Sequence, residues 1–335
     1  MWFFHFLTAL LFTLHVGALP FEDNRLVNRD GPGHGGGGGV VGAVNDALDA
    51  GGSLTSAVIT DSGLDSALNA LPPAKQHTRR FGISYSPYGD DSACRTQEQV
   101  NHDMDKLKHY SFVRIYGVDC DQTKKVVNAA RQRGLRVFAG VYDLQNFPAS
   151  LDPIIQAAAG DWSTFHTISI GNELVNRGEA SPAQIVNAVN TARTRLRAAG
   201  YHGPVVTVDT FNRLLDHPEL CHVSDYCAAN CHPFFDATQP AANAGVYVRD
   251  QARKISAAAG GKRTVITEAG WPKRGDANGK AVPSFGNHQR AIMALTHVYR
   301  DNPGDLVLFS AFNEKWKKDS PGTFHAEKWW GIESR

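Results

Sequence analysis

Two glutamates in this sequence stand where a carboxylate is unusual. The run Thr264-Val265-Ile266-Thr267 leads straight into Glu268, and Ala269-Gly270-Trp271-Pro272 follows. This β-branched run is too short for a helix and reads as a fully buried strand, ended by Gly270 and Pro272. Phe165-His166-Thr167-Ile168-Ser169-Ile170-Gly171 has the same shape and delivers Asn172-Glu173. Either glutamate alone is explained by a solvated charge at a strand end. Two of them, each at the C-terminal end of a buried strand, predict a carboxylate pair meeting at one mouth. Such a pair suits cleavage of a glycosidic bond, where one group protonates the leaving oxygen and the other attacks carbon or activates water.

The elements that must hold the pair repeat regularly from Phe81 onward. Strands are expected at 81–85, 112–116, 136–141, 165–173, 205–208, 225–230, 264–268 and 306–310, with helices at 100–108, 122–133, 153–159, 182–199, 246–259 and 287–300. Pro182 suits a first helical turn, and Gly134 and Gly200 suit helix stops. Eight strands separated by helical stretches predict an α/β fold, a (β/α)8 TIM barrel over residues 81–335. An open nucleotide-binding sheet favours a glycine-rich first turn, and Ser86-Pro87-Tyr88-Gly89 has no GxGxxG. In a barrel the strand C-termini form the active face, which puts Glu173, ending strand 4, and Glu268, ending strand 7, on the same rim.

The 335 residues carry a formal net charge of +1 and are 42% hydrophobic. That balance gives no electrostatic case for nucleic acid or an acidic membrane. Residues 1–18 read as a signal peptide, apolar from Trp2 to Val16 with small residues before a cleavage point at Ala18. Once it is removed, no membrane association is expected. Residues 19–80 contain the glycine run Gly35 to Gly39 and the pairs Gly51-Gly52 and Pro72-Pro73, and read as a low-complexity propeptide or linker. Arg79-Arg80 is a candidate processing site. No Asn-x-Ser/Thr triplet occurs. Secretion makes disulfides plausible among the five cysteines, and the odd count leaves one thiol over. Cys94 and Cys120 follow strands 1 and 2 on adjacent loops of one rim and are expected to pair. Cys221 has two candidate partners, Cys227 and Cys231. Cys227, Cys231 and His232 lack CxxC spacing, so no metal is expected, and no cofactor is implied.

The motifs resemble glycoside hydrolase family 17, the β-1,3-glucanases, and especially its secreted fungal cell-wall branch. The matching pieces are Phe81-Gly82-Ile83-Ser84-Tyr85, Arg114-Ile115-Tyr116-Gly117, Ile170-Gly171-Asn172-Glu173, Asn230-Cys231-His232-Pro233-Phe234-Phe235, Thr267-Glu268-Ala269-Gly270-Trp271-Pro272 and Phe309-Ser310-Ala311-Phe312-Asn313-Glu314-Lys315-Trp316-Lys317. The resemblance implies a retaining mechanism on β-1,3-glucan, with Glu173 as acid/base and Glu268 as nucleophile. It places Asn172 near the sugar 2-hydroxyl, Tyr85 and Tyr116 along the same subsite, and Glu314 with Lys317 as a charged pair beside it. His232-Pro233-Phe234 departs from the Tyr-Pro-Tyr of plant relatives, and Asn313 from a common aspartate. Phe234 and Trp271, near strand ends, are candidates to stack on a sugar face. A transglycosylase that passes the glycosyl group to a sugar, and a non-catalytic glucan-binding wall protein, are the alternatives. A monomer is expected, secreted or in the cell wall, with β-glucan as its partner.

Overall fold

The computed structural model describes residues 81–335. The expected signal peptide, the 19–80 segment and Arg79-Arg80 lie outside the described residues. The strands are β1 (Gly82–Ser84), β2 (Phe112–Arg114), β3 (Arg136–Val141), β4 (Phe165–Asn172), β5 (Val205–Thr210), β6 (Cys227–Asn230), β7 (Thr264–Ala269) and β8 (Leu306–Leu308). They pair in chain order, all parallel, and β8 closes onto β1. The helices are α1 (Gln97–Leu107), α2 (Gln122–Arg131), α3 (Asp152–Ala158), α4 (Pro182–Ala198), α5 (Phe211–Asp216), α6 (Glu219–Val223), α7 (Ala244–Ala258) and α8 (Phe285–Val298). The architecture is the (β/α)8 barrel that the pattern predicted.

Local chemistry explains the helix limits. Thr96 with Gln99, and Ser181 with Gln184, form capping boxes that satisfy free N–H groups at the starts of α1 and α4. Sequence reading missed α5 and α6, two short helices between β5 and β6 that carry little apolar periodicity. After β8 the chain does not enter another α-helix among the described residues. It returns along the rim instead, where Ser310 N–H donates to Trp330 O, and Ile332 and Glu333 N–H donate to Ser310 O and Ala311 O.

Alternation along the strands sorts two cores. Phe112, Phe138, Val206, Val208, Tyr226, Ala228, Val265 and Val307 fill the barrel interior. Val113, Ala139, Ala229 and Ile266 point outward into the larger layer under the helices. Arg114 is two residues beyond Phe112, so it faces inward, one layer nearer the strand C-termini. The Cys94–Cys120 bridge is present with Cα atoms 5.4 Å apart, as expected. Cys221 pairs with Cys227, and Cys231 is the leftover thiol, buried.

Candidate active site

Two irregularities in the sheet aim the glutamates. On β4 the pairing to β5 runs Ser169 to Val206 and then skips to Asn172 with Val208. On β7 the pairing to β6 runs Ile266 to Ala229 and then skips to Glu268 with Asn230. A bulge of this kind re-aims the side chains beyond it. Strict alternation from inward-facing Val265 and Thr267 would turn Glu268 outward; the bulge brings it inward. On β4, Gly171 takes φ +81°, and a Cβ there would meet Leu174 Cδ1 at 2.8 Å. Glu173 itself has φ 56°, a left-handed backbone that a non-glycine residue holds only when its surroundings enforce it. The enforcement is visible. Glu173 N–H donates to Val208 O (2.9 Å), and buried Asp209 accepts from the backbone N–H groups two and three residues on, Val175 (2.9 Å) and Asn176 (3.2 Å).

The carboxylates share one polar network. Arg114, 1% exposed, donates Nη1–H to Glu268 Oε1 (2.8 Å) and Nη2–H to Asn172 Oδ1 (2.7 Å). Its Nη1 also reaches Asn230 Oδ1 (3.2 Å) and Thr267 O (2.8 Å). Asn230 Nδ2 donates to Glu173 Oε1 at 2.8 Å. His232 Nε2 lies 3.0 Å from Glu268 Oε2. Burial alone would push Glu268 up, but the Arg114 guanidinium and the hydrogen bond from His232 outweigh it and hold the carboxyl down at about 2. Among the described residues no cation lies within ion-pair distance of Glu173. Burial and the charge of Glu268 push its carboxyl above the ordinary value, against the hydrogen bond from Asn230. One carboxylate is kept ionised and the other is kept protonated longer.

The remaining expected residues divide. Tyr116 is half-buried under the Arg114 guanidinium, whose Cζ sits 4.5 Å from the ring centre, and its hydroxyl helps lower Glu268. Asn172 joins the network. Glu314 and Lys317 pair at 2.8 Å, with Lys317 Nζ 4.8 Å from the Phe309 ring. Burial opposes the Lys317 charge, but Glu314, Glu327 and Glu268 raise its pKa overall, which places the pair in the field of the site.

Three aromatic expectations are corrected. Phe234 and Trp271 have no exposed surface and pack on each other at 5.6 Å, beneath the rim. The Trp271 indole N–H is committed to Val282 O. Tyr85 is 1% exposed and gives its hydroxyl to Asp103 at 2.8 Å. These rings belong to the buried layer outside the barrel interior and have no face to offer a sugar. The neighbouring Phe235 is 43% exposed instead. Sequence reading also missed Arg114, Asn230 and His232 as site residues, although all three lie inside its matching motifs. The available signal for Arg114 was a permanent cation ending an apolar strand, since a buried arginine demands anionic or amide partners. Among the described residues no group of three or more His, Cys, Asp or Glu side chains is placed to hold a metal ion.

Residues 82–331 match the BtgE/BtgC glycoside hydrolase domain. Cell surface mannoprotein MP65 of Candida albicans is 44% identical over 76% of this chain and 66% of its own length. The probable family 17 glucosidase SCW10 of Saccharomyces cerevisiae is 42% identical over 75% of this chain and 64% of its own. The chain thus spans less than two thirds of the length of these two relatives, and under half of the probable β-glucosidase btgE of Aspergillus terreus (48%). The crystal structure of a family 17 β-1,3-glucanosyltransferase from Rhizomucor miehei superposes with TM-score 0.64 at 23% identity, covering 77% of this chain and 93% of that one, a likeness of fold. A closed parallel barrel with two carboxylates on its C-terminal rim defines the class. The chain belongs to glycoside hydrolase family 17, with the BtgE/BtgC glycoside hydrolase domain.

Proposed function

We propose that the protein is a retaining glycosidase acting on β-1,3-glucan, with Glu268 as nucleophile and Glu173 as acid/base. The observation that carries this reading is the opposite displacement of two carboxyls joined through Arg114 and Asn230. An ionised Glu268 attacks the anomeric carbon while protonated Glu173 gives its proton to the departing oxygen. Esterified Glu268 no longer carries the charge that raises Glu173, so Glu173 becomes a better carboxylate for deprotonating the incoming water. Asn172 Oδ1 is taken by Arg114 and Asn230, which leaves its Nδ2 to donate to the sugar 2-hydroxyl. Tyr116, Glu314 and Lys317 border that subsite, and exposed Phe235 takes the stacking role first expected of Phe234.

A second reading, transfer of the glycosyl group to a sugar acceptor, uses the same two glutamates. It is favoured by the fold shared with the Rhizomucor glucanosyltransferase, a neighbour also crystallised with laminaritriose as an active-site mutant. We place the protein outside the cell or in the wall, on the apolar segment at residues 2–16 and on a relative named as a cell surface mannoprotein, and read it as a monomer. No helix among the described residues is long and apolar enough to cross a membrane.

Incubation with laminarin-type oligosaccharides, read by NMR for the first anomer formed and by mass spectrometry for chain length, tests both readings. A β-anomeric product supports retention, and products longer than the substrate support transfer. An α-anomer appearing first would overturn the double displacement.

A further inference from the structure

We propose that His232 is a positioning residue for Glu268, held by a box of aromatic rings with its Nε2–H aimed at the carboxylate. The inference rests on the reading of Glu268 as nucleophile. His232 follows β6, and its Nε2 faces Glu268 Oε2 at 3.0 Å. Its other nitrogen, Nδ1, is buried and has no hydrogen-bond partner. The ring is walled by Phe309 (centroids 5.0 Å, 72°), Trp330 (5.0 Å, 68°) and Phe235 (6.1 Å, 87°). Phenylalanine offers no acceptor, and an indole N–H only donates.

A proton on Nδ1 would therefore be buried without an acceptor, which disfavours the Nδ1–H tautomer. The proton on Nε2 has the Glu268 carboxylate. The charged groups around the ring are Glu268 on β7, Glu173 on the β4 rim, Arg114 on the far oxygen of Glu268, and Lys317 across Phe309. The rings leave the imidazole one polar contact, and it points at the nucleophile.

The two oxygens of Glu268 thus differ. Oε1 is bound to the permanent cation of Arg114 at 2.8 Å, and Oε2 to a single imidazole nitrogen at 3.0 Å. Hydrogen bonds to a cation are the stronger kind, so Oε2 loses less when its charge is spent. Oε2 forms the new bond to the anomeric carbon as the glycosidic C–O bond breaks. The bonding pair leaves on the departing oxygen, which takes the proton of Glu173. Oε1 stays on Arg114 as the ester carbonyl.

Long-range proton–nitrogen NMR on the 15N-labelled full chain tests the tautomer, with the His232 signals assigned by their loss in His232→Gln. The expected result is that the neutral ring carries its proton on Nε2, with Nδ1 bare. A neutral ring with its proton on Nδ1 would overturn the proposal. Kinetics test the role. His232→Phe should lower kcat about 10- to 100-fold with KM changed less than about 2-fold, and His232→Gln, which restores a donor, should recover most of the loss. Equal losses in both variants, each shown to be folded by circular dichroism, would remove the donor role. Near-native activity in Glu268→Gln would overturn the nucleophile assignment and with it the positioning role, even if the tautomer is as expected.

Discussion

Glu173 and Glu268 leave the barrel in similar ways and meet opposite surroundings. Each follows a buried, β-branched strand and each is aimed by a bulge. Glu268 remains inside the strand, 6% exposed, between a guanidinium and an imidazole. Glu173 lies one residue past its strand, in a left-handed backbone, and receives a single amide hydrogen bond. The difference shows that burial alone does not decide a carboxyl's charge. Burial pushes both pKa values up, and the placement of one cation separates them.

The largest expected effect breaks the Glu268 side. Glu268→Ala should reduce kcat on β-1,3-glucan at least about 10⁴-fold, the scale seen when a nucleophile is removed. With an activated aryl glucoside, added azide should yield the inverted glycosyl azide, since external azide enters from the vacated face. A near-native rate would sink the assignment.

Next comes the Glu173 side. Glu173→Gln keeps an oxygen for Asn230 Nδ2 but has no proton to give. It should slow glucan cleavage about 10²- to 10⁴-fold and slow aryl glycosides with good leaving groups far less. Equal losses on the two substrate types would make Glu173 structural.

Removing the cation should blur the contrast itself. In Arg114→Met, burial acts on Glu268 with much less opposition, so its pKa rises. Because activity requires ionised Glu268, the acid limb of kcat/KM should move to higher pH by about one unit or more. The rate at the optimum should fall about 10²-fold, as for loss of a preorganised donor at a charged centre. An unmoved acid limb would show that Arg114 does not set the charge of Glu268.

Much of this contrast could be read in the sequence, and its limits are physical. Strand count and the two terminal glutamates were legible because buried β-branched runs are short, distinctive and bounded by glycine or proline. The bulges were not legible, because a skipped pair depends on the register of a neighbouring strand. Plain alternation would have turned Glu268 away from the site. Phe234 and Phe235 are consecutive in a short turn after β6, and the turn geometry decides that the first is buried and the second exposed. Arg114 was quoted within its motif but given no role, although a cation at an inward strand position had to find partners.

The smallest expected effect is on stability, and it carries the sharpest sign. Glu268 has a folded pKa near 2, below its ordinary 4.5. It contributes stability that is fully present above the unfolded pKa and is lost as pH falls toward 2. Glu173 is the reverse, because a raised folded pKa means that its contribution is present at low pH and lost as pH rises through that pKa. At pH 7, Glu268→Gln leaves buried Arg114 without its carboxylate and should destabilise by about 3 kcal/mol, lowering Tm by roughly 6–12 °C. At the same pH, Glu173→Gln removes a disfavoured charge while keeping the bond from Asn230, and should raise Tm by about 1–3 °C. Near pH 3 the native Glu173 is already protonated, so its gain should vanish, and the Glu268 loss should shrink to roughly half or less of its pH 7 size. Calorimetry of both variants at the two pH values checks this. Shifts of the same sign at pH 7 would mean that the two carboxyls share one electrostatic environment, and the division of roles between them would fail.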